Sequence, residues 1–441
     1  MQTICFSLPR CEQTNKGWKV SSSYEVDQQR YSIWYEVSQG PIADGVDTFL
    51  AACVVPAMKL GYAVKCPAPV SARLLEGITY IQSIMHGWYP ELQQVPILAE
   101  AKTPSVERAT GAASFFSCGV DAFYTMLKHR PSITHGVLIH GFDFPVSHAM
   151  TRQTVTRMAH HAAGQLDLPL IEVATNVREF ADRYTDFRLQ YHGSMLGSVA
   201  LLLSPQLSTI YVPSTHAFAD QKPLGSHPDL DHRWSSEQID LVHDGCEAYR
   251  VEKVAKVAQS DAALSVLRVC WHTIKKQGEA YNCGRCEKCL RTMMDLRAAG
   301  ALQRCPTFNR PLTLRKLKLL DMRQAAYRAY YESTLAQLQQ TGLDPRLAAA
   351  IEEALSERHY RGFEGFCRDA SKPLSQYLIR PVFGPVMRPL EQSVRWVKRK
   401  WRGKQVVERV DRGSSQTPRS HIDRNSASPY RATVSGHGSS R

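Results

Sequence analysis

The sequence contains no G-x-x-x-x-G-K-[ST] loop, and no G-x-G-x-x-G follows the strand where one would be sought, so the two commonest phosphate-loop readings are excluded. It has no apolar run long enough to cross a bilayer. The longest, residues 49–58, is interrupted by Pro56 and falls far short of about 20 residues. Residues 1–10 (MQTICFSLPR) show no basic start leading into an apolar stretch and a small-residue cleavage site, so a cytoplasmic protein is expected rather than a secreted one. No repeat at solenoid spacing is visible, and no Ser-His-Asp or Cys-His signature of a covalent nucleophile stands out. Excess charge is also scarce over most of the chain. The net charge is +13, but residues 388–402 carry +5 and residues 403–441 carry +4, which leaves the remainder nearly neutral. Phosphate-backbone binding by the folded part is therefore not expected.

What the chain does have is length, ordinary composition and cysteine. Its 441 residues exceed one small domain, and 43% hydrophobic with 22% charged residues is typical of a folded globular protein. Residues 1–104 mix strand-like and helical runs: 31–37 (YSIWYEV) is aromatic and β-branched, and 71–88 has helical apolar spacing, giving a small α/β N-terminal module. From Ala112 strands and helices alternate: strands at 112–116, 136–140, 170–173, 209–212 and 239–242, helices after Asp121, at 148–165 and at 193–203. That alternation predicts an α/β fold with a doubly wound, mostly parallel sheet over 112–300. Helical spacing at 325–338 and 346–359 predicts a helical extension over 301–402, and the Ser, Gly and Arg composition of 403–441 predicts a disordered basic tail.

Residues 114–125 read SFFSCGVDAFYT, an apolar strand running into Ser117, Cys118 and Gly119 and then a helix opened by Asp121. Such a turn at the carboxyl end of a parallel strand aims backbone N–H groups and a helix N-terminus at one crevice, which suits a polyphosphate. The competing reading is a strand-to-helix turn in which Ser, Gly and Asp only cap. The second strand ends at His140, Gly141 and Asp143, where such folds place adenine and ribose contacts; a hydrogen-bonded histidine at a strand end is the plain alternative.

Residues 281–294 read YNCGRCEKCLRTMM, placing Cys283, Cys286 and Cys289 at C-x2-C-x2-C, with Cys270 thirteen positions upstream of the first as the nearest fourth thiolate. Four thiolates make a closed tetrahedral zinc site that folds the protein and leaves no position for water. A ferredoxin-type cluster would need Cys and then Pro where Met293 and Met294 stand. Buried free thiols are the remaining alternative, and three cysteines within seven polar-flanked residues do not suit packing.

The stretch 117–122 (Ser117, Cys118, Gly119, Val120, Asp121, Ala122) resembles the S-G-G-x-D-S pyrophosphate loop of the PP-loop ATP pyrophosphatases, with Cys118 in place of glycine and Ala122 in place of serine. Together with the cysteine knuckle, residues 112–297 resemble the 7-cyano-7-deazaguanine synthase branch of that superfamily. The resemblance implies an adenine nucleotide α hydrolase-like fold, with ATP and Mg2+ held by 117–122, His140 and Gly141. It implies catalysis supported by Ser117 and Asp121, and structural Zn2+ on Cys270, Cys283, Cys286 and Cys289. It further implies adenylation of a small carboxylate or amide-type acceptor with release of pyrophosphate, followed by attack of ammonia or another nucleophile. The two departures motivate the alternative of a degenerate nucleotide-binding or scaffold protein.

The polar stretch 214–237 follows a strand and carries His216, Lys222 and His227, cations suited to a substrate phosphate, which makes it a candidate substrate loop; a solvated surface loop is the alternative. Arg250 and Lys253, in the helix that follows, reach phosphate or face water. Residues 378–401 alternate apolar residues with Arg and Lys, as segments at a membrane surface or anionic partner do, although Pro381, Pro385 and Pro389 break any single helix.

Overall fold

A computed structural model describes residues 2–103, 107–270, 281–317 and 325–356. These fall within one compact unit, Met1–His359. The basic segment 378–401 and the tail 403–441 lie outside the described residues, as does the helical extension beyond 356.

The strands in chain order are β1 (Thr3–Phe6), β2 (Arg10–Thr14), β3 (Gly17–Val26), β4 (Gln29–Val37), β5 (Ala63–Lys65), β6 (Val70–Ser71) and β7 (Ile97–Leu98). They continue with β8 (Ala101–Lys102), β9 (Gly111–Phe115), β10 (His135–His140), β11 (Leu170–Thr175), β12 (Leu207–Pro213) and β13 (Asp240–Asp244). Five of them, in the order β13-β12-β9-β10-β11, pair parallel and carry the doubly wound half of the fold. The order turns back between β9 and β12, because the chain winds outward through β10 and β11 before returning to the other side of β9. At such a switch point the flanking crossovers leave in opposite directions and open a crevice at the strand carboxyl ends.

The N-terminal strands extend the same sheet. β4 pairs antiparallel with β11, matching Tyr35 to Thr175, and β3, β1, β5 and β7 follow outward, with β2 beside β3. A small second sheet joins β6 and β8. The sheet thus runs without a break from the N-terminal module into the central domain.

Two helices buried nearly all round fill the space over this joint. Asp47–Leu60 buries every residue from Thr48 to Met58, and His192–Leu202 buries every residue from Gly193 onward. A helix apolar on every side shows no periodic stripe and belongs inside a core. Pro56 removes the N–H that would bond the carbonyl of Ala52. The Tyr191 hydroxyl donates to that Ala52 carbonyl at 2.6 Å, and Ser194 Oγ and Tyr24 Oη donate to the neighbouring carbonyls of Ala51 and Phe49, each at 2.6 Å. The broken helical ladder is thereby satisfied by side chains of the opposing elements.

No helix among the described residues is long and apolar enough to cross a membrane.

Candidate anion-binding cavity and metal centre

β9 ends in the turn Ser117-Cys118-Gly119, and the helix Val120–Lys128 starts on Gly119. Cys118 adopts φ +58°, the left-handed region that favours glycine, with its side chain fully buried. Its carbonyl accepts from the backbone N–H of Arg268 at 2.8 Å, tying the turn to the stretch that leads to Cys270. Val120 and Ala122 are buried and, unlike Cys118, line the cavity into which the turn opens; Ser117 is exposed on the turn.

The turn opens into a cavity of about 460 Å3 at the switch point, lined on one side by Ser117, Gly119 and Asp121 and on the other by apolar side chains such as Phe142, Phe144 and Leu196. Its polar wall carries the cations Arg178, Arg250, Arg268 and Lys288, with the His192 imidazole beside them. Arg250 is almost fully buried, 3.8 Å from Asp121 and 3.8 Å from the buried carboxylate of Asp295, and donates to Thr292 Oγ1 at 3.0 Å. Burial pushes the Lys288 ammonium pKa down, and the Arg250 charge pushes it the same way. Arg268 pairs with Asp143 at 2.8 Å, and this cation, working against burial, holds the Asp143 carboxyl below its ordinary range. Asp121 Oδ1 is buried and accepts no hydrogen bond. Buried guanidinium and ammonium groups facing a backbone turn form an anion-binding wall, and a carboxylate oxygen without a hydrogen-bond donor is suited to a hard divalent cation.

The cysteine cluster adjoins this wall. The sulfurs of Cys270, Cys283, Cys286 and Cys289 all lie within 4.8 Å of one another, with Cys283 and Cys289 3.8 Å apart. Thiolates about 2.3 Å from one ion at tetrahedral corners stand about 3.8 Å apart, so the set fits a structural zinc. Gly284 takes φ +60° in the first turn of the knuckle, and the backbone N–H of Cys286 donates to Cys283 Sγ at 3.3 Å. Asn282, which sequence reasoning passed over, is fully buried and holds the two arms together. Its Oδ1 accepts from the N–H groups of Val269 at 2.9 Å and Cys270 at 3.2 Å, while Nδ2 donates to Leu267 O and Thr307 Oγ1. Cys270 lines the cavity two residues after Arg268, and Lys288 stands between two cluster cysteines, so one loop and one helix start serve both features.

Other candidate residues are placed elsewhere. His140 is fully buried and does not line the cavity; its Nε2 bonds Glu172 at 2.8 Å, and Thr156 and His160 complete a ladder on that carboxylate. Gly141 takes φ +101°, and a Cβ there would lie 2.1 Å from the Thr175 carbonyl, so its glycine serves the backbone. Of the stretch 214–237, only Thr215 reaches the cavity. His216 is half-buried with its ring 3.4 Å from the Tyr330 hydroxyl, and burial followed by the Lys222 charge pushes its pKa down to about 4. Lys222 is exposed. His227 Nδ1 accepts from the Asp229 N–H at 3.1 Å and caps the helix Pro228–Asp231. Arg250 does reach the cavity, whereas Lys253 is fully buried and donates to the Ser214 carbonyl at 2.7 Å. Neither faces water. Arg178, Arg268 and Lys288 went unnoticed because single basic residues scattered over more than a hundred positions form no local motif.

No family model, no curated protein and no solved structure matches the chain.

Proposed function

We propose that the switch-point cavity binds Mg-ATP, and that the chain adenylates a small carboxylate or amide-type substrate, releasing pyrophosphate. On this reading the fold is adenine nucleotide α hydrolase-like and the chain is a divergent member of the PP-loop ATP pyrophosphatases, near the 7-cyano-7-deazaguanine synthase branch. The substrate oxygen attacks the α-phosphorus, the bond to the β-phosphate oxygen breaks, and pyrophosphate carries away the electron pair. Ammonia or another nucleophile then attacks the activated carbon and AMP leaves. The protein's part is orientation and neutralisation of charge on the departing phosphates. Gly119 N–H and Ser117 at the turn, with Arg250, Arg268 and Lys288 opposite, would supply that neutralisation. Asp121 is the carboxylate that would hold Mg2+, and Cys270, Cys283, Cys286 and Cys289 would hold zinc as a closed structural site.

The observation that carries this reading is the coincidence of the 117–121 turn, the sheet switch point and the cationic wall around one cavity of about 460 Å3. Incubation with Mg-ATP and a panel of small carboxylates, with AMP and pyrophosphate quantified, tests it. Both products in equal amounts are expected, and orthophosphate with ADP would contradict it. A second reading is favoured by one feature. Cys118 holds a left-handed conformation with a buried Cβ where glycine would let phosphate approach closely. A nucleotide-binding protein without turnover would bind ATP in the same cavity and release neither product.

A further inference from the structure

Three of the four cations on the cavity wall are delivered by chain that the cysteine cluster holds. Lys288 stands in the first turn of the helix Glu287–Ala298, between Cys286, which is its N-cap, and Cys289. That N-cap side chain makes no capping hydrogen bond, so a metal on Cys286 and Cys289 would fix the helix start where no side-chain cap does. In the next turn of the same helix, Thr292 Oγ1 accepts from Arg250 Nη2 at 3.0 Å and positions the second cation. The third, Arg268, belongs to 267–270, four residues without regular secondary structure. Their backbone is held by the Asn282 amide, next to Cys283, and by the Cys118 carbonyl of the turn, which accepts from the Arg268 N–H at 2.8 Å. Cys270, the last of them, is at once a member of the cluster and part of the cavity lining. Arg178 is held differently, in the helix Val177–Ala181, where it pairs with Asp182 at 2.8 Å and donates to the Phe142 carbonyl.

An ion joining four sulfurs ties an irregular stretch to a helix start and removes the freedom that the two arms keep without it. We infer that the metal centre regulates the anion cavity: occupancy of the cluster by a soft divalent ion, Zn2+ for a set of four thiolates, assembles the Arg250, Arg268 and Lys288 wall, and loss of the ion disperses that wall and releases the bound polyphosphate. This inference rests on the reading of the cavity as a nucleotide site. It adds to a structural zinc a second role, control of a ligand held by other side chains.

Two consequences follow from the geometry. Coupling between sites is reciprocal, so a bound polyphosphate tightens the metal by the factor by which the metal tightens the polyphosphate. Arg178 keeps its place through Asp182 and Phe142, so binding by metal-free protein falls without vanishing. The change is also local. It reaches the 117–119 turn through the Arg268 N–H and the helix Arg250–Val257 through Thr292, whereas the helix Asp47–Leu60 is buried among elements that carry none of the cluster cysteines.

Labelled Mg-ATP dialysed to equilibrium against the full-length protein, zinc-loaded and after zinc removal by a chelator that is then dialysed away, measures the coupling. Loaded protein is expected to bind about tenfold or more tightly than stripped protein, and Mg-ATP to lower the zinc dissociation constant, read by chelator competition, by the same factor. Hydrogen exchange followed by mass spectrometry locates the change. On zinc removal, exchange is expected to rise in peptides covering 117–123 and 250–257 and to stay the same over the helix Asp47–Leu60. If stripped protein loses its far-UV circular dichroism, Cys283→Ser, which keeps three thiolates, takes its place in both measurements with the same direction expected. Loaded protein that binds no Mg-ATP overturns the nucleotide reading and the regulation with it. Equal Mg-ATP affinity with and without zinc, or a zinc affinity indifferent to Mg-ATP, overturns the regulation alone. Exchange in Cys283→Ser that rises as much over Asp47–Leu60 as over 117–123 marks general unfolding and overturns it too.

Discussion

Several residues that resemble ligand contacts serve the backbone instead. At Gly141, φ is +101° and a Cβ would meet the Thr175 carbonyl at 2.1 Å. Left-handed strain and overpacking add, so Gly141→Ala is expected to destabilise the protein by about 3 kcal/mol in urea unfolding. His140 ends in a ladder on Glu172, not in the cavity. Burial alone would raise the Glu172 pKa, but hydrogen bonds from His140, His160 and Thr156 outweigh it and hold it at about 2. A depressed carboxylate contributes stability that is complete above the ordinary carboxylate range and is lost as pH falls toward 2. Wild-type stability is therefore expected to fall between about pH 4.5 and pH 2, with Glu172→Gln removing about 2–3 kcal/mol of that pH dependence. Equal acid slopes for the two proteins would show that the ladder contributes nothing. The identities of these residues were legible, but their roles were not, because a His or Gly at a strand end looks the same whether it meets a ligand or a neighbouring strand.

Among elements, those with strong periodicity matched the structure closely: the predicted helix at 71–88 is the helix Ala72–Trp88 capped by Ser71, and the strand at 170–173 is β11. The helix Asp47–Leu60 escaped notice as a helix because its burial on every side erases periodicity and Pro56 argues against it. The C-x2-C-x2-C spacing was legible because a metal imposes a local rule, and Cys270 joined it as expected. Asn282 was invisible because its partners, Leu267 to Cys270 and Thr307, come from two other stretches of chain. Asn282→Ala leaves two buried N–H groups without an acceptor, so a loss of about 3 kcal/mol is expected. Zinc affinity is expected to fall on the order of tenfold, read by chelator competition. Unchanged affinity would separate the clip from the metal.

Across the whole molecule, the parallel order followed from alternating strands and helices, whereas the pairing of β4 with β11 did not, since it joins segments more than a hundred residues apart. That pairing makes one sheet of the N-terminal and central segments. The cationic wall arises the same way, from Arg178, Arg250, Arg268 and Lys288 delivered by separate elements to one switch point. Equilibrium dialysis of labelled Mg-ATP against the zinc-loaded full-length protein tests the nucleotide assignment most directly. Saturable binding to one site per chain is expected, weakened at least tenfold by Arg250→Ala or Lys288→Ala with zinc content unchanged. Absence of saturable binding by the wild type, or full affinity in both variants, would contradict it.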